Sequence, residues 1–354
     1  MTDANAPDVA DVVVHQGVAT RVLIGPGALR HVPSELGRIG ARRVLLVTTP
    51  SVAAAGDALA AALGGRLAAR FDGPRVHTPV DVTERALAIV TDHRADAVVA
   101  VGGGSAVGLG KALSARTGIP QVAVPTTYAG SEVTPVLGET RGGVKTTRRD
   151  PALAPGTVVY DPELTLSMPR GLTLTSALNA LAHAVEALWA PDRTPVSDAL
   201  ATEAAHEIVA ALPDVLADLG DVRARSRVQA GAWLAGTCLA QTRMGLHHQL
   251  AHALGGTFDL PHAELHAMLL PHVMDFDLPA APDAAGRLER ALGTDPVRVV
   301  RGLADAHEGA RRLRELGVPR AALAGVAERV VAAPYPNPRP LDVTSVTGLL
   351  ERAW

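Results

Sequence analysis

The chain has 354 residues, 47% of them hydrophobic and 19% charged, enough apolar side chain to exclude wholesale disorder; at about 100–200 residues per domain its length predicts two domains. A formal net charge of −3 gives no footing on nucleic acid or anionic lipid. The one cysteine, Cys238, excludes an internal disulfide and a thiolate metal cage.

The residues Met1 to Asn5 lack the basic start and apolar run of a signal peptide, and no stretch nears the roughly 18 unbroken apolar residues of a membrane span. A soluble protein of the reducing cytoplasm is expected. Val12-Val13-Val14 to Val22-Leu23-Ile24 is β-rich and predicts a hairpin or edge strands. Arg43 to Thr48 is a short apolar run before Pro50, and Val52 to Leu63 is an Ala/Leu-rich helical stretch. Ala95 to Val101 runs into Gly102, and Gln121 to Val124 runs into Pro125-Thr126-Thr127. Continuous apolar strands alternating with helices predict a doubly wound α/β unit around a parallel sheet.

The sharpest local feature of this half is Gly102-Gly103-Gly104-Ser105, a strand breaking into glycines before a helix that ends near Ala115. Bare backbone N–H groups at a helix start attract a phosphate, and Ser105 is placed to cap the helix or donate to that phosphate. The G-x-G-x-x-G spacing is absent, so the usual Rossmann inference does not transfer. The following loop, Pro125 to Glu132, crowds hydroxyls at a strand's carboxyl end, where open α/β sheets bind ligands. Lys145, one of two lysines with Lys111, lies just beyond Gly142-Gly143.

Val158-Val159-Tyr160 is the last strand-like run, so the boundary is set at residue 161, giving an α/β unit 1–161 and an all-helical unit 162–354. Asp198 to Leu216 and Asp221 to Gln241 carry Ala and Leu at helical spacing. Here the histidines crowd: His247, His248, His252, His262, His266 and His272 are six of the 13. Asn179 and His183 stand one turn apart on one helix, and His248 and His252 repeat that spacing on another. His262 follows a glycine break at Gly255-Gly256. Such faces converge on a shared site, and spacing alone suggests nitrogen ligands for a divalent metal. The asparagine at 179 withholds the carboxylate that would neutralise the ion, while Glu186 is placed as a partner behind the histidines.

Taken together, Gly25-Pro26-Gly27, Gly102-Gly103-Gly104-Ser105, Pro125-Thr126-Thr127 and His248-x-x-x-His252 with His262 resemble the iron-containing (group III) alcohol dehydrogenases over nearly the whole chain. That resemblance implies a dehydroquinate synthase-like architecture, with a dinucleotide-binding α/β domain, a helical domain, a cleft between them and a homodimer. The metal-using members carry Asp where this chain has Gly108 and Asn179. Both departures resemble the maleylacetate reductase branch, as do Pro125 to Glu132, Met244 to His248 and Pro334 to Pro340. That branch reduces the C=C bond of maleylacetate with NADH or NADPH in aromatic-compound catabolism, without a required metal.

The resemblance implies Thr48, Thr49, Gly102, Gly103, Gly104, Ser105, Thr126, Thr127 and Lys145 on the cofactor. A neutral Thr49, where NAD-selective relatives carry an acid, would tolerate a 2′-phosphate. His252 is expected as proton donor, with His183, His248 and His262 as donors to an enolate oxygen. Tyr128, Asn179, Arg243 and His247 are expected at the dicarboxylate substrate, Arg243 as first cation with Lys111 and Arg339 behind it. The rival is a metal-dependent alcohol or polyol dehydrogenase of the same family; a cofactor-binding sensor is disfavoured by the full histidine set.

Overall fold

A computed structural model describes residues 15–17 and 19–354; Val12 to Val14 and the side chain of Lys145 lie outside the described residues. The first half alternates strand and helix: β1 (Arg21–Ile24), α1 (Val32–Arg38), β2 (Val44–Val47), α2 (Ala53–Leu63), β3 (Leu67–Phe71), α3 (Val80–Asp92), β4 (Ala97–Gly102), α4 (Gly104–Thr117) and β5 (Gln121–Pro125). A hairpin of β6 (Val136–Arg141) and β7 (Val144–Arg149) precedes β8 (Thr157–Tyr160). Six strands form one parallel sheet in the order β1-β8-β5-β4-β2-β3. Val22 to Ile24 is therefore an edge strand beside β8, and not one arm of a hairpin.

The sheet is covered on both faces, which is why its central strands read as unbroken apolar runs. Successive side chains of a strand point to opposite faces. Val44 and Leu46 accordingly pack with Leu36, Leu59 and Leu63 of α1 and α2. Leu45 and Val47 pack with Val82, Ala86 and Leu109 of α3 and α4. The order of strand addition reverses between β2 and β4, which pair directly and in parallel, so their carboxyl ends form the crevice where doubly wound sheets bind ligands.

The second half is helical: α5 (Arg170–Ala187), α6 (Pro195–Ala217), α7 (Val222–Gln241), α8 (Leu246–Phe258), α9 (His262–Asp277), α10 (Pro282–Leu292), α11 (Pro296–Asp305), α12 (Leu323–Ala332) and α13 (Val343–Ala353). Helix α5 is buried along nearly all its length, as an all-round apolar helix must be. Alanines and glycines let α6 and α7 approach closely; a Cβ on Gly231 would lie 2.7 Å from Ile208. Cys238 is sealed between these helices, its Sγ 3.6 Å from the Ser197 carbonyl oxygen, and burial pushes its thiol up to about 12. The expected break at Gly255-Gly256 is absent: α8 runs on to Phe258 and stops at Asp259, whose φ is 52°. No described helix is long and apolar enough to cross a membrane.

Asp161 ties the two halves at their junction, its carboxylate accepting from the backbone N–H groups of Gly27, Leu29 and Glu163. The loop after β5 makes the second tie. Tyr128 N–H donates to Ser176 Oγ at 3.0 Å, and Gly130 presses against Gly236 of α7.

Candidate active site

The glycine turn sits at the sheet's crevice as expected. Gly102 has φ 150°, and a Cβ there would meet Ala106 at 2.9 Å, so only glycine fits. A Cβ on Gly104 would meet nothing within 4 Å, leaving the start of α4 open to an anion. Thr49 and Thr127 flank the turn, within 3.5 Å of where Cβ atoms of Gly102 and Gly103 would stand. Thr126 N–H donates to the Gly102 carbonyl, binding the second loop to the first. Ser105 makes no capping bond; Gly103 is the N-cap. Thr48, expected on the cofactor, is buried and its hydroxyl donates to Asp72. A cavity of about 190 Å³ opens beside the turn, lined by Thr78, Gly104, Gly108, Lys111 and Ser131 among others. A larger one, of about 620 Å³, lies away from the histidines between His15, Arg149, Asp192 and Gln241.

Gly108 has a structural partner for its missing side chain. A Cβ there would lie 2.5 Å from Oγ1 of Thr78, so the threonine hydroxyl occupies the room an aspartate would need.

Six histidines from α5, α8 and α9 meet within the helical half, and His183 faces Gly130 of the loop after β5. His252 and His262 are exposed at the mouth with stacked rings, centroids 5.8 Å apart. His183, His247, His248 and His266 are buried below. Ring centroids are 5.0 Å apart for His183 and His248, and 4.2 Å for His262 and His266. Burial among neighbouring imidazoles holds His183, His248 and His266 well below the usual histidine range, and lowers His247 to about 4. The buried rings are therefore neutral near pH 7.

Glu186 stands behind this cluster. Its Oε1 accepts the His247 backbone N–H at 2.8 Å, and its Oε2 lies 2.5 Å from Nδ1 of His248. Burial raises its pKa, but backbone N–H groups of Gly245, His247 and His248 at the start of α8 favour the carboxylate. Assigned from this network, Nδ1 of His248 carries the hydrogen and its Nε2 presents a lone pair. That corrects the expectation of His248 as a hydrogen-bond donor to an oxyanion. Asn179 is buried beside His183's turn, its Nδ2 3.5 Å from the Ala129 carbonyl and its Oδ1 without a partner.

The structure turns other expected residues away. Tyr128 is fully buried in the helical core, its hydroxyl grouped with Thr165 and Arg225, so no substrate touches it. Arg243 is at the surface, with both its backbone N–H and Nε directed to Asp192. His247 is fully buried, with Nε2 on the His266 carbonyl, and has no face for a substrate. Lys111 is buried under the loop after β5, donating to carbonyls of Ser131, Thr134 and Val136 at 2.6–2.9 Å, and burial lowers it to about 7. Arg339 lies over the Phe276 ring, 4.1 Å from its centroid.

Two groups carried no assigned role in the sequence reading. His266 repeats the four-residue spacing from His262 and joins the buried rings. Asp277, pushed up to about 7 by burial, accepts from Asn337 Nδ2 at 2.7 Å and couples to Glu186, which seats Pro334 to Pro340 against the floor of the site.

The profile described as "Iron-containing alcohol dehydrogenase" matches residues 19–162, and that of the "Fe-containing alcohol dehydrogenase family, C-terminal" matches 173–354. A maleylacetate reductase of Rhizobium sp. is 46% identical over 344 residues, 96% of this chain and 97% of its own. Another from Sphingobium indicum is 44% identical over 341 residues, with the same coverage. The crystal structure of maleylacetate reductase from Agrobacterium tumefaciens superposes with a TM-score of 0.94 at 43% identity, covering 97% of this chain and 98% of that one.

Proposed function

The chain belongs to the iron-containing alcohol dehydrogenase family, and on that footing we propose that it reduces the C=C bond of maleylacetate to 3-oxoadipate with NADH or NADPH, in the breakdown of aromatic compounds. Identity of 41–46% to maleylacetate reductases over nearly the full chain supports the substrate. The observation that carries the reading is the set of neutral, buried imidazoles in the helical half, with an asparagine where the metal-using relatives carry an acid.

The open start of α4 fits a dinucleotide's pyrophosphate, held by Gly103, Gly104 and Ser105 with Thr49, Thr126 and Thr127 beside it. Lys145 is assigned to the nicotinamide ribose by resemblance. When bound, the reduced nicotinamide supplies a hydride to the alkene carbon β to the ketone. The chain must then stabilise the enolate oxygen and protonate the neighbouring carbon. His183 and His262 are the donors to that oxygen, a role worth a few kcal/mol per hydrogen bond in comparable sites. His252, at the mouth, holds the proton for carbon, the general-acid role that imidazoles most often take. Asn179 offers the substrate an amide from within the cleft.

Iron does not fit this donor set. The positions that resemble the family's ligands are Asn179, His183, His248 and His262, none of them a carboxylate, so an iron ion held there would keep its full positive charge and bind weakly. We propose that turnover needs no metal. We also propose that residues 1–161 and 162–354 are the two domains, that the protein is a homodimer and that it works in the cytoplasm. The test is NADH oxidation with freshly prepared maleylacetate, with and without a strong chelator. Chelator-resistant reduction supports this reading; absence of reduction, or its loss on chelation with recovery on added iron, rejects it.

A further inference from the structure

Three buried rings at the floor of the cluster offer lone pairs that nothing in the protein receives. Nε2 of His247 lies 3.0 Å from the His266 carbonyl oxygen. A carbonyl only accepts, so Nε2 carries the hydrogen and Nδ1 keeps the lone pair. His248, its Nδ1 given to Glu186, keeps a lone pair on Nε2. Nδ1 of His247, Nε2 of His248 and both ring nitrogens of His266 are buried without a hydrogen-bond partner. Orphaned acceptors at this depth are costly and mark a place where a ligand belongs.

The geometry names the ligand. One ring nitrogen from each of these histidines lies within 4.8 Å of the other two. The ring centroids form a triangle with sides of 5.4, 4.8 and 4.8 Å. Three imidazoles bound tetrahedrally at a metal–nitrogen distance of about 2.1 Å place their ring centres about 5 Å apart. We propose that His247, His248 and His266 form a binding site for a divalent transition ion of the zinc type. Glu186 completes it from behind, fixing the His248 ring and setting a negative charge close to the ion, as carboxylates behind ligating histidines do. Of the four positions resembling the family's iron ligands, the site shares only His248.

The site does not depend on which substrate the enzyme reduces. Chelator-stripped full-length protein is dialysed against Zn²⁺ alone and its zinc content measured. One zinc per chain is expected, with affinity lowered about 10-fold or more in His247→Gln and in His266→Gln and little changed in His262→Gln. No stoichiometric zinc, or zinc lost in His262→Gln but kept in His247→Gln and His266→Gln, overturns the proposal. Zinc-edge anomalous scattering from crystals of the unsubstituted protein covers variants that fail to fold: the peak must lie in bonding distance of His247 and His266 nitrogens, and a peak elsewhere overturns the site.

Discussion

His252 is one turn from His248 and stacks on His262 at the open end of the imidazole cluster. Removing its ring should cost the proton and little else: His252→Ala is expected to lower kcat about 10²- to 10⁴-fold while the dissociation constant for NADH, read by fluorescence titration, stays nearly unchanged. At Gly108 the expectation runs the other way, toward stability. Aspartate there must displace Thr78, and Gly108→Asp should cost about 1–3 kcal/mol in urea unfolding. Adding Thr78→Ala should recover much of that loss, since the clash is between these two side chains. Single residues were legible where their chemistry is local. The histidines stood out through crowding and four-residue spacing, and Glu186 through its place one turn past His183. Arg243 and Tyr128 were misread because their partners, Asp192 and Thr165 with Arg225, are brought to them only by the fold.

Among elements, β2, β4, β5 and β8 could be read directly, because a strand buried on both faces has no polar alternation to blur it. β3, half-buried throughout and carrying Arg70, lacks that run, as does the charged hairpin of β6 and β7. That hairpin turns at Gly142-Gly143, both at positive φ, the two-residue connection favoured between twisted strands. Helix α8 outlasted its two glycines because packing of its apolar face against α9 overrides propensities of about 1 kcal/mol each. Lys111 ties α4 to the loop that follows β5, so it acts at this scale. Lys111→Met leaves three carbonyls without their donor and should destabilise the protein by about 3 kcal/mol, read as a lower Tm. Amide exchange in residues 130–136 should accelerate more than in the sheet.

For the whole molecule, the buried imidazoles govern the response to acid. His183, His247, His248, His266 and His272 are all depressed, His247 and His272 to about 4. The unfolded chain takes up their protons as pH falls below about 6.5 and the folded chain does not, so stability is lost in that direction. Buried Glu132 and Asp277 are raised and work oppositely, the folded state favouring their protonated forms. The five depressed histidines outnumber these carboxyls, so unfolding takes up protons on balance as the pH falls. Denaturant midpoints should therefore fall between pH 6.5 and 5; a flat or rising profile would count against neutral rings in the folded state. The lone thiol between α6 and α7 adds an internal clock to such experiments. Shielded and held far from its thiolate form, Cys238 meets an alkylating reagent only during moments when those helices part, so its labelling rate under native conditions times the breathing of the helical half without any dye, tag or engineered probe.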